Sequence, residues 1–159
     1  VVAAGEMLSF GIPRQGFIIT AEVSGRDLAE VHQEAGKRER RRILARFGHL
    51  LGRLHDHGFY GSTRLKDVIY STGADGDPRL VLIDREVRNP WPKRVNADRT
   101  RSRLLLNVRR QLQQGEIFRK REWREFTTGY CESLSRGIDL PARSLFARIK
   151  ALHKHYKKR

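Results

Sequence analysis

One stripe of apolar residues does most to limit what this chain can fold into. Ile43, Phe47, Leu50, Leu51 and Leu54 recur at the spacing of one helix face, and the run stops at Gly58. A helix with a single apolar face must bury it against another layer. Glycine just past the last periodic residue is a stop signal. The helix grows out of a charged block, Lys37-Arg38-Glu39-Arg40-Arg41-Arg42.

Partners for that face follow along the chain. Asp98 to Gln114 carries Leu104-Leu105-Leu106 and Val108. Arg121 to Leu134 carries Trp123, Phe126, Tyr130 and Leu134 at helical spacing. Leu145, Phe146, Ile149 and Leu152 form the apolar face of a last helix, with Pro141 where a helix starts. Asp27 to Ala35 is a shorter amphipathic piece with Leu28 and Val31 on one side. Strands flank these helices. Val1 to Thr20 predicts an antiparallel hairpin whose turn is Gly11 to Gly16, and Ala21 to Gly25 breaks the pattern. Phe59 to Tyr70 is irregular until a short strand at Val68-Ile69-Tyr70. A turn-rich loop, Gly73 to Pro78, then leads to Leu80-Val81-Leu82-Ile83, an apolar run that stops at Asp84. The order is strands, helix, strand pair, helices, with no internal repeat. It predicts an α+β fold.

The chain's 159 residues suffice for one domain with a real core. Its net charge of +15 attracts polyanions, whether nucleic acid, anionic headgroups or phosphorylated sugars, and says nothing of fold. The plainer reading is a solvated basic surface. The single cysteine, Cys131, rules out an internal disulfide and fits a reducing compartment. No Cys-His pattern stands near it, so a structural thiol is the simpler reading. No apolar run reaches the roughly 18 residues that span a bilayer, and no signal peptide is visible. The chain begins at Val1 rather than Met, as a piece of a longer protein would.

Chemistry concentrates between Ile43 and Asp84. A long helix ends in Leu54-His55-Asp56-His57-Gly58-Phe59-Tyr60, a loop follows, then a hairpin, then Leu82-Ile83-Asp84. Kinase C-terminal lobes use this order: a helix supports the catalytic loop, and a carboxylate at a strand end faces the metal. Phosphoryl transfer needs such a carboxylate because it is mostly positioning and charge neutralisation.

The motifs resemble those of the Kdo/WaaP lipopolysaccharide kinases. Phe17-Ile18-Ile19-Thr20-Ala21-Glu22-Val23 is similar to their hinge, often F-L-I-T-E-x-L. Leu51 to Tyr60 is similar to their L-x-x-L-H-x-x-G element, and Val81-Leu82-Ile83-Asp84-Arg85 to their strand ending in I-D. Asp98 and Leu104 to Val108 resemble a later helix that carries D-L. The similarity spans about residues 1 to 135. It implies a protein-kinase-like fold: residues 1–23 as the end of the N-lobe, a β-hairpin and hinge, and residues 24–159 as a mainly helical C-lobe. It implies ATP and Mg²⁺, with adenine at the hinge backbone of Glu22 and Val23 and metal at Asp84. The implied activity is phosphorylation of a core sugar, heptose or Kdo. The implied partner is lipopolysaccharide core or another anionic glycolipid, in the cytoplasm or peripherally at the inner membrane.

The sequence also departs from the family. Active members read H-x-D-L-Y-x-x-H after the glycine element, where Asp is the base and the final His assists the metal. Here the residues are Gly61-Ser62-Thr63-Arg64-Leu65-Lys66-Asp67-Val68. Without gaps, Thr63 takes the base position and Val68 the metal position. With one deletion, Asp67 takes the metal position and the base is still missing; if activity survives, Asp67 is the remaining loop carboxylate near the acceptor, and so a catalytic candidate beside Thr63. The family's glycine-rich loop, strand lysine and helix glutamate are absent from these residues, so the chain is a fragment or lacks half its small lobe. A catalytically impaired pseudokinase that binds anionic glycolipid or a protein partner is therefore the second reading.

Plainer alternatives stand beside each of these assignments. Asp84 alone is more readily a strand-ending residue that caps a turn than a metal ligand; the surrounding order of elements is what raises the metal reading to parity with it. His55 fits a packing role better than a ligand role, and His55 and His57 do not face each other on a helix. Asp75 and Asp77 belong to turn chemistry, without the twelve-residue calcium-loop spacing. Arg85, Arg88, Lys93 and Arg94 flank Asp84 and suit either an anion or ordinary surface charge. A third reading, nucleic-acid binding, rests on charge and the basic tail Lys154 to Arg159, with no helix-turn-helix, zinc-finger or RNP signature to support it.

Overall fold

The computed structural model describes residues 3–10, 12–19, 22–72, 77–83, 93–115, 118–135 and 138–156. Two strands come first, β1 (Ala3–Ser9) and β2 (Ile12–Ile19), paired antiparallel with a register shift between Met7 and Leu8. Strand β3 is only Arg26–Asp27. It opens onto helix α1 (Leu28–Glu34), whose first turn is capped by Asp27, the side-chain oxygen accepting from Ala29 N at 2.6 Å. Helix α2 (Lys37–Asp56) follows, then a 3-10 turn at Leu65–Asp67, then strands β4 (Val68–Thr72) and β5 (Pro78–Leu82). Helices α3 (Ala97–Gln113), α4 (Lys120–Glu132) and α5 (Ala142–Tyr156) complete the chain.

An antiparallel hairpin at the start is present, as are the helix at residues 37–56 and the strand pair that follows, but the turn expected at Gly11 to Gly16 is displaced: Ser9 already pairs with Ile12, and residues 12–16 belong to β2 because their backbone continues the ladder with β1. Strand β3 was not foreseen: two residues carry no periodicity, and only their pairing with Tyr70 and Ile69 makes them a strand. The second sheet is therefore three-stranded and antiparallel, in the order β3-β4-β5. Mixed α+β architecture is thus the arrangement of the described residues.

The core is the meeting of α2 and α4. Ile43, Leu44, Phe47 and Leu51 from α2 are buried with Trp123, Phe126 and Tyr130 from α4. The helices approach so closely that backbone meets backbone. A Cβ at Gly48 would collide with the Phe126 carbonyl, one at Gly52 with Ser133 Oγ, and one at Gly129 with the Ala45 carbonyl. Glycine costs about 1 kcal/mol relative to alanine inside a helix. Here that cost is offset by contact no other residue permits. Asp56 Oδ1 then accepts from Ser135 N at 2.8 Å, tying the end of α2 to the residues after α4.

Aromatic rings extend the core toward α1. Phe118 lies edge-on to His32 and against Trp123, which meets Phe126 edge-on. Beside His32 sits an ion pair, half-buried Arg40 to buried Glu122 at 3.0 Å, and Glu122 also accepts from Arg119 N at 2.7 Å. Burial and the nearby Arg40 guanidinium lower the His32 pKa to about 4, against a smaller opposing pull from Glu122. Cys131 is half-buried, and burial raises its thiol to about 11, which keeps it protonated and inert.

Candidate functional site

The segment between α2 and β4 is built from its helix end outward. Helix α2 stops in the way its sequence predicts: His57 N donates to Arg53 O, Gly58 N to His55 O, and Phe59 N to Leu54 O. Gly58 has φ +78, left-handed backbone that favours glycine. The Lys93 backbone presses on it, with Lys93 N donating to Gly58 O at 2.9 Å. Residues after the second strand pair are thereby pinned to the start of the loop.

His55 is buried beneath the loop, its Nδ1 2.7 Å from the Tyr130 hydroxyl. Its ring packs on Tyr60 and meets Tyr130 edge-on. Burial pushes the Tyr130 phenol well above its ordinary pKa, so it stays protonated and keeps a proton to share. Tyr60 in turn reaches Thr100 of α3, hydroxyl to hydroxyl at 3.0 Å. His55 thus packs and positions, as its place on the helix suggested.

Helix α3 supports the loop with polar side chains. Thr100, Asn107 and Gln111 are all buried, on the same face as Leu104 and Val108. Gln111 Nε2 donates to the Thr63 carbonyl at 3.2 Å and lies 3.5 Å from Asn107 Oδ1. None of these supports was singled out from the sequence. The signal was present as polar residues at helical spacing on an apolar face, a pattern that reads as solvent-facing unless the partner is known.

The predicted site residues take definite places. Thr63 is 2% exposed, so the residue at the base position is buried as well as lacking a carboxylate. Val68 is fully buried at the start of β4, which removes it as a ligand. Asp67 closes the 3-10 turn, and its backbone oxygen accepts from Ile83 N at 3.0 Å. The turn and the end of β5 therefore touch, which brings Asp67 beside the residue preceding Asp84. Asp84 itself, with Arg85 and Arg88, lies outside the described residues. Of the hinge pair, Glu22 is exposed and Val23 half-buried, in irregular backbone before β3. Lys93 and Arg94 are exposed.

Asp67 is engaged by Arg64 three times. Oδ2 accepts from Arg64 N at 2.8 Å and from Arg64 Nε at 3.1 Å, and Oδ1 accepts from Arg64 Nη2 at 2.8 Å. The fork is bidentate, the geometry in which arginine and carboxylate pair most strongly. Side-chain exposure is 28% for Arg64 and 7% for Asp67.

A family model settles the affiliation. The Lipopolysaccharide kinase (Kdo/WaaP) family model matches residues 1–130. The chain belongs to that family. No curated protein and no solved structure matched the chain. The match takes in the β1–β2 hairpin, α2, the loop, the β4–β5 hairpin, α3 and most of α4. Kinase activity on lipopolysaccharide core is the activity this family suggests. Helix α5 lies beyond the matched residues.

Among the described residues Asp67 does not gather a divalent-metal site, and Asp84, to which the family motif assigns the metal, lies outside them. Both oxygens of Asp67 already accept from Arg64, Thr63 is a buried hydroxyl, and no group of three or more His, Cys, Asp or Glu side chains gathers among the described residues. Mg²⁺ demands near-octahedral oxygen ligands at about 2.0–2.1 Å. A guanidinium on the same carboxylate repels it. Among the described residues, no helix is long and apolar enough to cross a membrane.

Proposed function

We propose that this chain is the hinge and C-terminal lobe of a protein-kinase-like phosphotransferase that phosphorylates a lipopolysaccharide core sugar, heptose or Kdo, with ATP as donor. The family match over residues 1–130 carries the reading. The sequence from α2 through the loop to the end of β5 supports it, since Ile83 N bonded to Asp67 O joins the two segments a kinase needs together. In this reading residues 1–23 end the N-lobe, residues 24–159 form the C-lobe, and the backbone of Glu22 and Val23 meets the adenine. Asp84 holds its metal-site assignment through the family motif alone. The charge of +15 suits an anionic glycolipid at the inner leaflet, approached from the cytoplasm.

Transfer without a carboxylate at the base position is slow but not forbidden. The phosphoryl transition state is loose, so positioning and charge do most of the work. A general base adds about 10²- to 10⁴-fold, and Thr63 does not supply it. The test is transfer of labelled γ-phosphate from ATP by the full-length protein to deacylated core oligosaccharide. Slow transfer that stops without acceptor is expected. No transfer to any core acceptor, from protein that binds nucleotide, sinks the reading.

The burial of Thr63 and the arginine clasp on Asp67 favour a second reading, a pseudokinase that binds anionic glycolipid or a partner. Thr63→Asp separates the two. In a slow kinase the variant gains rate by about 10²-fold or more, whereas in a pure binding module it gains none. Glycolipid binding that needs no nucleotide points to the module.

A further inference from the structure

Charge is unevenly spread over the helices. Helices α3 and α5, of 17 and 15 residues, carry nine Lys or Arg and one Asp, so they hold +8 of the chain's +15. Helix α4 by contrast carries three residues of each sign. In α2, Arg40 and Arg42 already meet Glu122 and Glu39. Arg101 of α3 pairs with Asp98, and among the described residues no carboxylate pairs with any other cation of α3 or α5. Arg99, Arg103, Leu106 and Arg110 are exposed and recur at i, i+4, i+7 and i+11, one face of the helix. On α5, Arg148, Lys150 and Lys154 are exposed while Leu145 and Ile149 are buried in the core. The two helices pack together, and Arg109 Nε donates to the Tyr156 hydroxyl at 3.0 Å. The start of α3 adjoins the candidate loop: Thr100 meets Tyr60, and Arg99 donates to the carbonyl of Arg94, next to Lys93 on Gly58.

We propose that the exposed cations of α3 and α5 dock this protein on the headgroups of an anionic phospholipid bilayer, with the candidate loop beside the docked face. The inference deepens the glycolipid-kinase reading and rests on it for the acceptor: a glycolipid is held in a bilayer by its lipid, so the site must come to the surface. The attraction is electrostatic. Each Lys or Arg near an anionic leaflet adds to binding, and salt screens the effect. Insertion is closed to α5, whose Leu145 and Ile149 are already buried in the core. Leu106, 37% exposed between Arg103 and Arg110, favours a bilayer over nucleic acid, since a leucine at headgroup level reaches acyl chains and finds no such partner on a phosphate backbone.

The test is cosedimentation of the full-length protein with vesicles of mixed phosphatidylcholine and phosphatidylglycerol, beside vesicles of phosphatidylcholine alone. Binding to the mixed vesicles only, weakening as salt rises, is expected. The combined variant Arg103→Glu, Arg110→Glu, Arg148→Glu, Lys150→Glu lowers affinity by at least about a hundredfold. A control on exposed positions of α2, Lys37→Glu, Arg38→Glu, Arg46→Glu, Arg53→Glu, makes the same change in net charge and lowers it by less than about tenfold. Equal losses in the two variants reduce the effect to net charge and overturn the proposal. Should the first variant fail to fold, the same four residues changed to Gln replace it, with a loss of about tenfold or more expected. Wild-type binding to both kinds of vesicle alike, or to neither, overturns the proposal. Vesicle binding untouched by the first variant does so too, and if binding to duplex DNA falls instead, the face belongs to nucleic acid. Phosphate transfer is scored separately on water-soluble deacylated core. Transfer without vesicle binding overturns the docking and leaves the kinase reading, whereas vesicle binding with the expected losses but no transfer supports the docking and removes the kinase reading.

Discussion

The seam between α2 and α4 and the loop that follows α2 are adjacent in sequence and opposite in construction. The seam is closed by backbone touching backbone at Gly48, Gly52 and Gly129, with large apolar side chains filling the rest. The loop is held by polar contacts: Gln111 to the Thr63 carbonyl, Tyr60 to Thr100, Arg64 to Asp67. Close packing fixes shape and tolerates little volume change. Hydrogen-bonded loops keep their shape while individual side chains exchange, since each bond is worth only about 1 kcal/mol net. The difference teaches where the stability of the fold is concentrated: in the seam, whose packing admits little change, and less in the side chains of the loop.

The seam makes the largest prediction. Gly129→Ala and Gly48→Ala each place a Cβ against a rigid carbonyl on the facing helix, and each destabilises by roughly 3 kcal/mol, read from the urea midpoint. In an ordinary helix the same change stabilises by up to about 1 kcal/mol, so a neutral or stabilising result breaks the comparison outright.

At the edge of the seam, His32 makes the next. Its folded pKa, about 4, lies below the unfolded value of 6.5. The unfolded chain therefore binds the extra proton first, and stability present above pH 6.5 is lost as pH falls toward 4. The loss is on the order of 3 kcal/mol. Denaturant midpoints followed through that window show it, and His32→Gln flattens the slope. An unchanged slope in the variant assigns the effect to other groups.

Tyr130 joins the two regions, and its effect is smaller. Tyr130→Phe keeps the ring in the seam but removes the partner of His55 Nδ1, at a cost of about 1–2 kcal/mol. Thermal unfolding measures this, and a loss well above that range would mean that the loop and the seam are one unit. Within the loop the expected effect is least. Lys66→Ala, at an exposed position, shifts the unfolding midpoint by less than about 0.5 kcal/mol. A larger shift would show the loop to be as intolerant as the seam.

How much of this was legible follows from what each region uses. Periodicity revealed α2, α4 and α5, because Ile43, Phe47, Leu51, Phe126 and Ile149 are buried where their spacing puts them. The β4–β5 hairpin was legible through its turn residues. The glycines were not, since Gly48, Gly52 and Gly129 look like weak points until two helices are set face to face. Strand β3 escaped because two residues have no period. Thr100, Asn107 and Gln111 escaped because polarity on a helix suggests water. At the candidate site, sequence placed Thr63 and Asp67 in one loop, and Ile83 N to Asp67 O brings that loop to the end of β5. The Arg64 clasp depends on a turn conformation that no spacing rule encodes.

The two residues of β3 have a mechanical consequence. Arg26 pairs with Tyr70 and Asp27 with Ile69, and β4 carries that fastening on to β5. Asp27 is at the same time the cap of α1. A pull on the chain just after Val23 is therefore not absorbed locally. It loads the sheet along β4 and reaches Asp67, the residue immediately before that strand, while the same pull tests the first turn of α1. Two hydrogen-bonded residues act as the coupling through which strain at one end of the chain is delivered to the other side of the sheet.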